Sequence, residues 1–424
     1  MNLKSLNAKI AQKNKDEYYS EYALIGDAIK KRRLEINDTQ TLVAKGVCSV
    51  SYLSKVENNK MVPSHQVVEK LSERLNIDVM SLIPNGLGNK LLIEGMKCFY
   101  NEDLEALLNI EEAVLNTQHQ QLIEVYKMLV SYMSDQLLDA QSRMLDLELR
   151  VMSMDKKTLQ VYLVVSSFIL YDLESFDKAF QAVNMLGRFE QLLPYVEALK
   201  SGMMGAIYAK FDMAVEADLC FKNALNFMRT EDNYKRELDI KLSGYLAVHA
   251  CSDISIDDYQ IENDTVPVPE ALKRKYAYVK AEMTKELALT TDYVTYLSKY
   301  MDCTRDVWSY KNALAILVNG VESLALKAEI DALFSHPNAK KYAILEFVEY
   351  TLFSMKDLDA RKQYLKEVAY PLALEHFDVV YMKKYTKELM ALANHNSRYK
   401  EAMSYLKRLE KHQDQISKVL NVVV

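Results

Sequence analysis

No proline falls between Pro84 and Pro194, and no glycine between Gly95 and Gly187. A β-sandwich or barrel must turn every dozen residues or so, and its turns draw on those two residue types. A stretch this long without either therefore reads as long helices. The whole chain carries only ten glycines and seven prolines in 424 residues, so the expectation extends to an all-α fold. Half of the residues are apolar and 26% are charged, which supplies enough core-forming material to exclude wholesale disorder. The length exceeds what one compact core usually serves, so more than one folded unit is expected.

Several function classes drop out on residue patterns. The five cysteines, Cys48, Cys98, Cys220, Cys251 and Cys303, are scattered and show no CxxC spacing, which argues against a disulfide framework or a structural zinc site. The histidines show no HExxH pairing, and there is no phosphate-cradling glycine loop, nucleophile elbow or paired-carboxylate motif. No catalytic residue, metal site or cofactor is expected, and the chain reads as a non-enzyme. The first fifteen residues are polar and basic, unlike a secretory signal. The nearly apolar stretch Leu159–Tyr171 is too short to span a bilayer. A cytoplasmic protein without a membrane partner is expected. Residues 1–83 carry more basic than acidic side chains although the whole chain has a net charge of −6, which points weakly to an anion-binding N-terminal module.

That module divides into short helical pieces. Leu24–Glu35 carries Ile25, Ile29 and Arg33 four apart on one face. Asp38 or Thr39 offers an N-cap for a second piece in which Leu42 and Val43 are the expected apolar contacts, and Gly46 supplies a stop. The third piece begins at Ser49 and turns Leu53 and Val56 inward; Asn58 and Asn59 can end it in a left-handed conformation. The fourth places Val67, Val68, Leu71 and Leu75 at helical spacing, and Leu82 and Ile83 are expected to close the core.

Ile25-Gly26, Arg33, Thr39-Gln40, Val43-Ala44, Ser51 to Glu57, Pro63-Ser64, Leu71 and Leu75 together resemble the five-helix helix-turn-helix domain of the phage-repressor (Cro/C1/XRE) type. Val43 and Asn59 stand where leucine and glycine are usual. The turn Gly46-Val47-Cys48-Ser49 looks like that of Rgg- and PlcR-type regulators. In such a domain the third helix presents its N-terminal side chains to base edges in the major groove. The outward set here is Ser49, Val50, Ser51, Tyr52 and Lys55, with Tyr52 equally suited to packing; Val50 offers an apolar surface for a thymine methyl. Thr39 and Gln40 open the second helix, where free N–H groups favour a phosphate. Lys30, Lys31, Arg32, Lys55 and Lys60 are further candidates for phosphate contacts. The resemblance implies that Arg33 and Glu57 form a structural ion pair rather than a DNA contact.

Beyond residue 83 the chain carries one amphipathic helix after another. Gly205, Tyr208, Ala217, Phe221 and Ala224 resemble the tetratricopeptide pattern, with Ser201 in place of its leading tryptophan. Fainter copies open at Asn101, Ser175, Asp357 and Arg398. A right-handed tetratricopeptide-like α-solenoid is expected, interrupted by a long acidic loop at Ser252–Pro269. The expected organisation is an N-terminal arm (1–21), the helix-turn-helix (22–83), a linker (84–90) and the repeat domain (91–424). A groove inside such repeats suits an extended peptide, for which an amide side chain both donates and accepts. Asn312 and Asn319 share one helix face, and Lys210 suits a peptide carboxylate; these three are the candidate peptide contacts.

A repressor-type helix-turn-helix joined to degenerate tetratricopeptide repeats resembles the RRNPP family of peptide-pheromone regulators (the Rap, Rgg, NprR, PlcR and PrgX types). The resemblance implies a transcriptional regulator that binds double-stranded DNA at two half-sites, a short signalling peptide in the repeat groove, and a homodimer formed through the repeats. It also implies two alternatives: a Rap-like partner of phosphorelay response regulators, and a DNA-binding regulator without a ligand.

Overall fold

The computed structural model describes residues 6, 8, 10, 11, 25–58, 60, 61, 63, 65–77, 87–117, 119–230, 233–249, 251, 254–261, 268–285, 294, 296–319, 323–395 and 398–421. Among the described residues every regular element is a helix.

The N-terminal module begins with α1 (Ile25–Glu35), α2 (Gln40–Ala44), α3 (Val50–Glu57) and α4 (His65–Leu75). Ile25, Ile29, Val43, Ala44, Leu53, Val56, Val68, Leu71 and Leu75 form its core, each no more than 1% exposed. The turn after α1 places Asn37 in the left-handed region (φ 57°), a conformation that asparagine tolerates. Gly46 ends the second helix at φ 74°; a Cβ there would meet nothing within 4 Å, so glycine is needed for its backbone angle alone. Arg74 Nη1 donates to the carbonyls of Leu42 (2.9 Å) and Lys45 (2.7 Å), which satisfies acceptors at the end of α2.

Some expectations need correction, and others fall outside the described residues. Leu42 is 54% exposed; a five-residue helix buries one narrow face, and Val43 and Ala44 occupy it. Leu82 and Ile83, expected to close the core, and Asn59 lie outside the described residues. The expected linker 84–90 is helical from Leu87, where α5 (Leu87–Asn101) begins; the first N–H groups of a helix are unbonded in any case, so breakers in its first turn do not stop it. Within 1–21, Leu6 and Ile10 are helical and wholly buried.

Residues 1–173 with 178–204 form one compact unit, and residues 174–177 with 205–422 a second. After α5 the first unit continues with α6 (Leu104–Leu115), α7 (Gln120–Met133), α8 (Leu137–Glu148) and α9 (Lys156–Asp172). Left-handed residues recur at repeat-length intervals in the tight turns: Glu102, Asp135, Glu174 and Asp212 all have φ between 53° and 59°. The turn bonds repeat as well: Asp103 N–H donates to Cys98 O, Gln136 N–H to Ser131 O and Met213 N–H to Tyr208 O, at 2.9–3.0 Å. The Asp135 turn has no counterpart in the sequence copies noted above: Ala140 stands at the position of Ala217, but Met144 and Leu147 replace Phe221 and Ala224.

Next along the chain come α10 (Phe176–Met185) and α11 (Val196–Lys210). The second unit then holds α12 (Ala214–Thr230), α13 (Tyr234–Val248), α14 (Lys273–Lys285), α15 (Val307–Val318), α16 (Leu324–Ser335), α17 (Ala339–Tyr342), α18 (Ile344–Ser354), α19 (Leu358–Tyr364), α20 (Tyr370–His376), α21 (Val379–His395) and α22 (Tyr399–Asn421). A π turn at Leu365–Ala369 joins α19 to α20, directly ahead of Pro371, whose missing N–H interrupts the ordinary ladder.

The tetratricopeptide contact is made at the predicted residues. A Cβ on Gly205 would lie 2.6 Å from the Phe221 ring, and Ala217, Phe221 and Ala224 are wholly buried. A second close approach carries no motif: a Cβ on Gly244 would lie 2.1 Å from the Tyr259 ring. Tyr259 sits in a short 3-10 turn (Asp257–Tyr259), is wholly buried, and donates from its hydroxyl to Asp218 Oδ1 at 2.8 Å. The acidic stretch expected to be a plain loop is thus pinned to the second unit by one aromatic side chain. Residues 252, 253 and 262–267 of it lie outside the described set.

Candidate functional site

The outward surface of the N-terminal module is built by two helix starts. Thr39 caps α2, its Oγ1 accepting from Leu42 N–H at 3.3 Å; Ser49 caps α3, its Oγ accepting from Tyr52 N–H at 3.1 Å. In each cap the hydroxyl proton is left to donate elsewhere. Ser49, Val50, Ser51 and Lys55 are exposed on α3, and Thr39, Lys30, Lys31 and Lys60 are exposed beside or beyond it. Val50, at 41% exposed, is an apolar side chain left at the start of the helix rather than taken into the core. Tyr52 is half-buried and packs against the core cluster. Arg32 is engaged in the scaffold: its Nε donates to Leu75 O at 3.2 Å and its Nη1 to Glu35 at 3.3 Å.

Behind this surface Arg33 donates to Glu57 twice, Nε to Oε1 at 2.6 Å and Nη2 to Oε2 at 2.8 Å, and its Nη1 donates to Asp38 O at 3.0 Å. The hydrogen bond to Glu57 is the chief cause that raises the guanidinium pKa above its ordinary value. Gln40 Nε2 also donates to Glu57 Oε2, at 2.7 Å. One buried carboxylate therefore holds α1, α2 and α3 together, and the Gln40 amide is turned toward it. The residue types suggested a phosphate contact for Gln40; its bond to Glu57, 17 positions away, is a tertiary fact that no local pattern announces.

Residues 29–82 match the helix-turn-helix family. The N-terminal module is a helix-turn-helix domain. The transcriptional activator NprA of Geobacillus stearothermophilus is 46% identical over 52 residues, which cover 12% of this chain and 13% of that protein. Among solved structures, the apo form of the quorum sensor NprR from B. thuringiensis aligns at 10% identity with a TM-score of 0.49, covering 77% of this chain and 98% of that one. PlcR of Bacillus thuringiensis, solved with the peptide PapR7 and DNA, aligns at 14% identity with a TM-score of 0.27, covering 78% of this chain and 99% of that one.

The second unit contains a cavity of about 430 Å³. Leu314, Ala315, Val318 and Phe353 supply apolar lining, while Glu282, Lys311, Glu346, Glu349, Arg361, Lys384 and Glu388 supply charge. Arg361 pairs with Glu388 and Lys384 with Glu349. Lys311 Nζ lies 4.4 Å from the centroid of the Trp308 ring; burial pushes its pKa down, against the opposing pull of Glu346. Burial likewise pushes the Tyr278 phenol up to about 12.

Of the three residues expected to meet a peptide, only Asn319 lines this cavity. It caps α15 and donates from Nδ2 to Ala315 O at 2.6 Å. Asn312 is wholly buried, and its Nδ2 donates to the carbonyls of Arg274 and Tyr300, both at 3.3 Å. Seven residues fall only about 20° short of two full turns, so the two do share a face; Asn312 sits mid-helix, where the Arg274 and Tyr300 carbonyls cover that face, whereas Asn319 caps the helix end beside the cavity. Lys210 Nζ binds the wholly buried Asp378 at 2.8 Å and lies over the Phe176 ring. With Lys383–Asp212 at 2.6 Å, that pair ties the first hairpin of the second unit to α21. Sequence reasoning missed the charged lining, because residues as far apart as Tyr278 and Glu388 meet only in the packed unit.

Among the described residues no cluster of histidine, cysteine, aspartate and glutamate is arranged to hold a metal ion. No helix among them is long and apolar enough to cross a membrane.

Proposed function

We propose that this chain is a transcriptional regulator of the RRNPP type. Its helix-turn-helix reads double-stranded DNA, and its helical body binds a short signalling peptide. The observation that carries the DNA part is the free N-terminal edge of α3: Ser49, Val50 and Ser51 stand exposed at the end of the helix that such a module turns toward the major groove, with Lys55 exposed in its last turn. Thr39, Lys55 and Lys60 serve as phosphate contacts, and Tyr52 supports the helix from behind. Gln40 acts through Glu57 and fixes the angle between α2 and α3.

The cavity of the second unit supports the peptide part. Its volume of about 430 Å³ holds a few side chains, and its lining offers both an apolar and a charged wall. Asn319 stands at its edge. A homodimer would set two modules on half-sites about one DNA turn apart or a multiple of it. Peptide controls DNA binding only to the extent that it binds the competent arrangement more tightly than the other.

The test is an electrophoretic titration of the full chain against a mixed pool of duplexes at about 50 and about 200 mM salt, repeated with a pool of heptapeptides. Retained duplex that weakens as salt rises, and that shifts with peptide, is the expected result. No retained duplex at the lower salt would overturn the DNA reading.

A further inference from the structure

The strongest unexplained feature of the molecule is Glu346. It is only 3% exposed and lines the cavity of the second unit. Its Oε2 has no hydrogen-bond partner among the described residues. Its Oε1 is held only loosely, by the Tyr381 hydroxyl at 3.4 Å and by Lys311 Nζ at 3.9 Å. Lys311 is kept at that distance by its seat over Trp308. Of the other cavity carboxylates, Glu388 pairs with Arg361 and Glu349 pairs through Oε2 with Lys384, so those two cations are already engaged; Glu349 Oε1 likewise has no hydrogen-bond partner among the described residues, and Glu282 is the fourth carboxylate of the lining. The lining as a whole carries one more carboxylate than it does cations. Buried carboxylate oxygens are ordinarily satisfied, and the strongest partner for one is a positively charged N–H donor. Beside this acceptor the cavity presents apolar surface that nothing in the unit covers well: Val318 is 71% exposed and Phe353 50%.

We propose that the cavity selects a ligand by a positively charged amino group seated on Glu346, next to an apolar side chain laid against Val318 and Phe353. This rests on the peptide-binding reading above and narrows it to one class of peptide. The amino group comes either from the peptide's own N-terminus or from a lysine side chain; both present the same ammonium to the carboxylate. An anionic group at this position is disfavoured by Glu346 and Glu349 together, three residues apart on α18.

The experiment is affinity selection on the full chain, read by mass spectrometry. It uses four heptapeptide pools: N-terminus free or acetylated, each with or without lysine. Peptides bearing an ammonium are expected to be retained at least about tenfold better than acetylated, lysine-free peptides. The two single-source pools show which ammonium is used. Glu346→Gln keeps the side-chain volume and removes the charge; it is expected to abolish that preference, so that peptides with and without an ammonium are retained alike. Circular dichroism of the variant reports its folding, and the acetylation arm reads the unmodified chain and needs no variant. Equal retention of charged and neutral peptides, or an ammonium preference that survives in folded Glu346→Gln, overturns this inference and leaves the peptide reading standing. Retention from none of the four pools overturns both.

Discussion

Replacing Glu57 by alanine removes three hydrogen bonds at once and leaves the Arg33 guanidinium, whose side chain is 11% exposed, without its partner. Breaking a buried ion pair from one side costs about 3–5 kcal/mol. A folded module of this size has roughly 3–8 kcal/mol of stability in total. Glu57→Ala is therefore expected to open the helix-turn-helix while the helical body stays folded. Hydrogen exchange measured by mass spectrometry on peptides spanning α3 should accelerate by about two to three and a half orders of magnitude. Gln40→Ala removes only one of the three bonds and leaves Arg33 paired, so it should cost about 1–2 kcal/mol, or about five- to thirtyfold in exchange. Exchange of α3 in Glu57→Ala within about threefold of the parent chain would refute the argument. So would Gln40→Ala proving as damaging as Glu57→Ala.

Three further outcomes follow from the geometry. Gly244→Ala should lower the stability of the second unit by about 1–3 kcal/mol and speed proteolysis near residues 254–261, because the new Cβ displaces the buried Tyr259 ring; unchanged cleavage would show that the ring can yield. Lys55→Ala and Lys60→Ala should each reduce the salt slope of DNA binding by about one, read by fluorescence anisotropy, with little change in sequence preference. Glu401 is held at about 2 rather than its ordinary 4.5, chiefly by hydrogen bonds from Lys362 (2.7 Å) and then Lys366 (2.5 Å). A carboxylate whose folded pKa is depressed stabilises fully above its unfolded value, so the docking of α22 should weaken as the pH falls from about 4.5 to about 2. Glu401→Gln should flatten that part of the acid titration, and a curve identical to that of the parent chain would exclude the assignment.

What the sequence shows and what it hides divide along a physical line. Local chemistry is legible. The scarcity of glycine and proline announces helices. Asp38 or Thr39 is read as the cap of the second helix, because a side-chain oxygen before a helix caps its free N–H groups, and Ser49 as the start of the third. The Gly205–Phe221 approach is legible because a small residue facing an aromatic one leaves a recognisable pattern. Long-range commitments are hidden. Gln40 and Arg32 look like residues for DNA until Glu57 and Leu75 claim them, and Asn312 looks like a groove residue until the Arg274 and Tyr300 carbonyls do. The charged cavity is hidden for the same reason: Lys311, Glu346, Arg361, Lys384 and Glu388 have no fixed spacing, and only the packing of four helices brings them to one space. Leu42 shows the reverse error, since its hydrophobicity predicts burial but a helix of five residues has no second face to bury.

The central claim is that the first residues of α3 read bases. It is tested most directly by selecting duplexes from a random-sequence pool with the full chain and with its Val50→Arg and Ser51→Arg variants. The account predicts one enriched motif for the parent chain and a changed base at a single position of each half-site for each variant. Enrichment of the same motif by all three proteins, or of no motif by the parent chain, would contradict it.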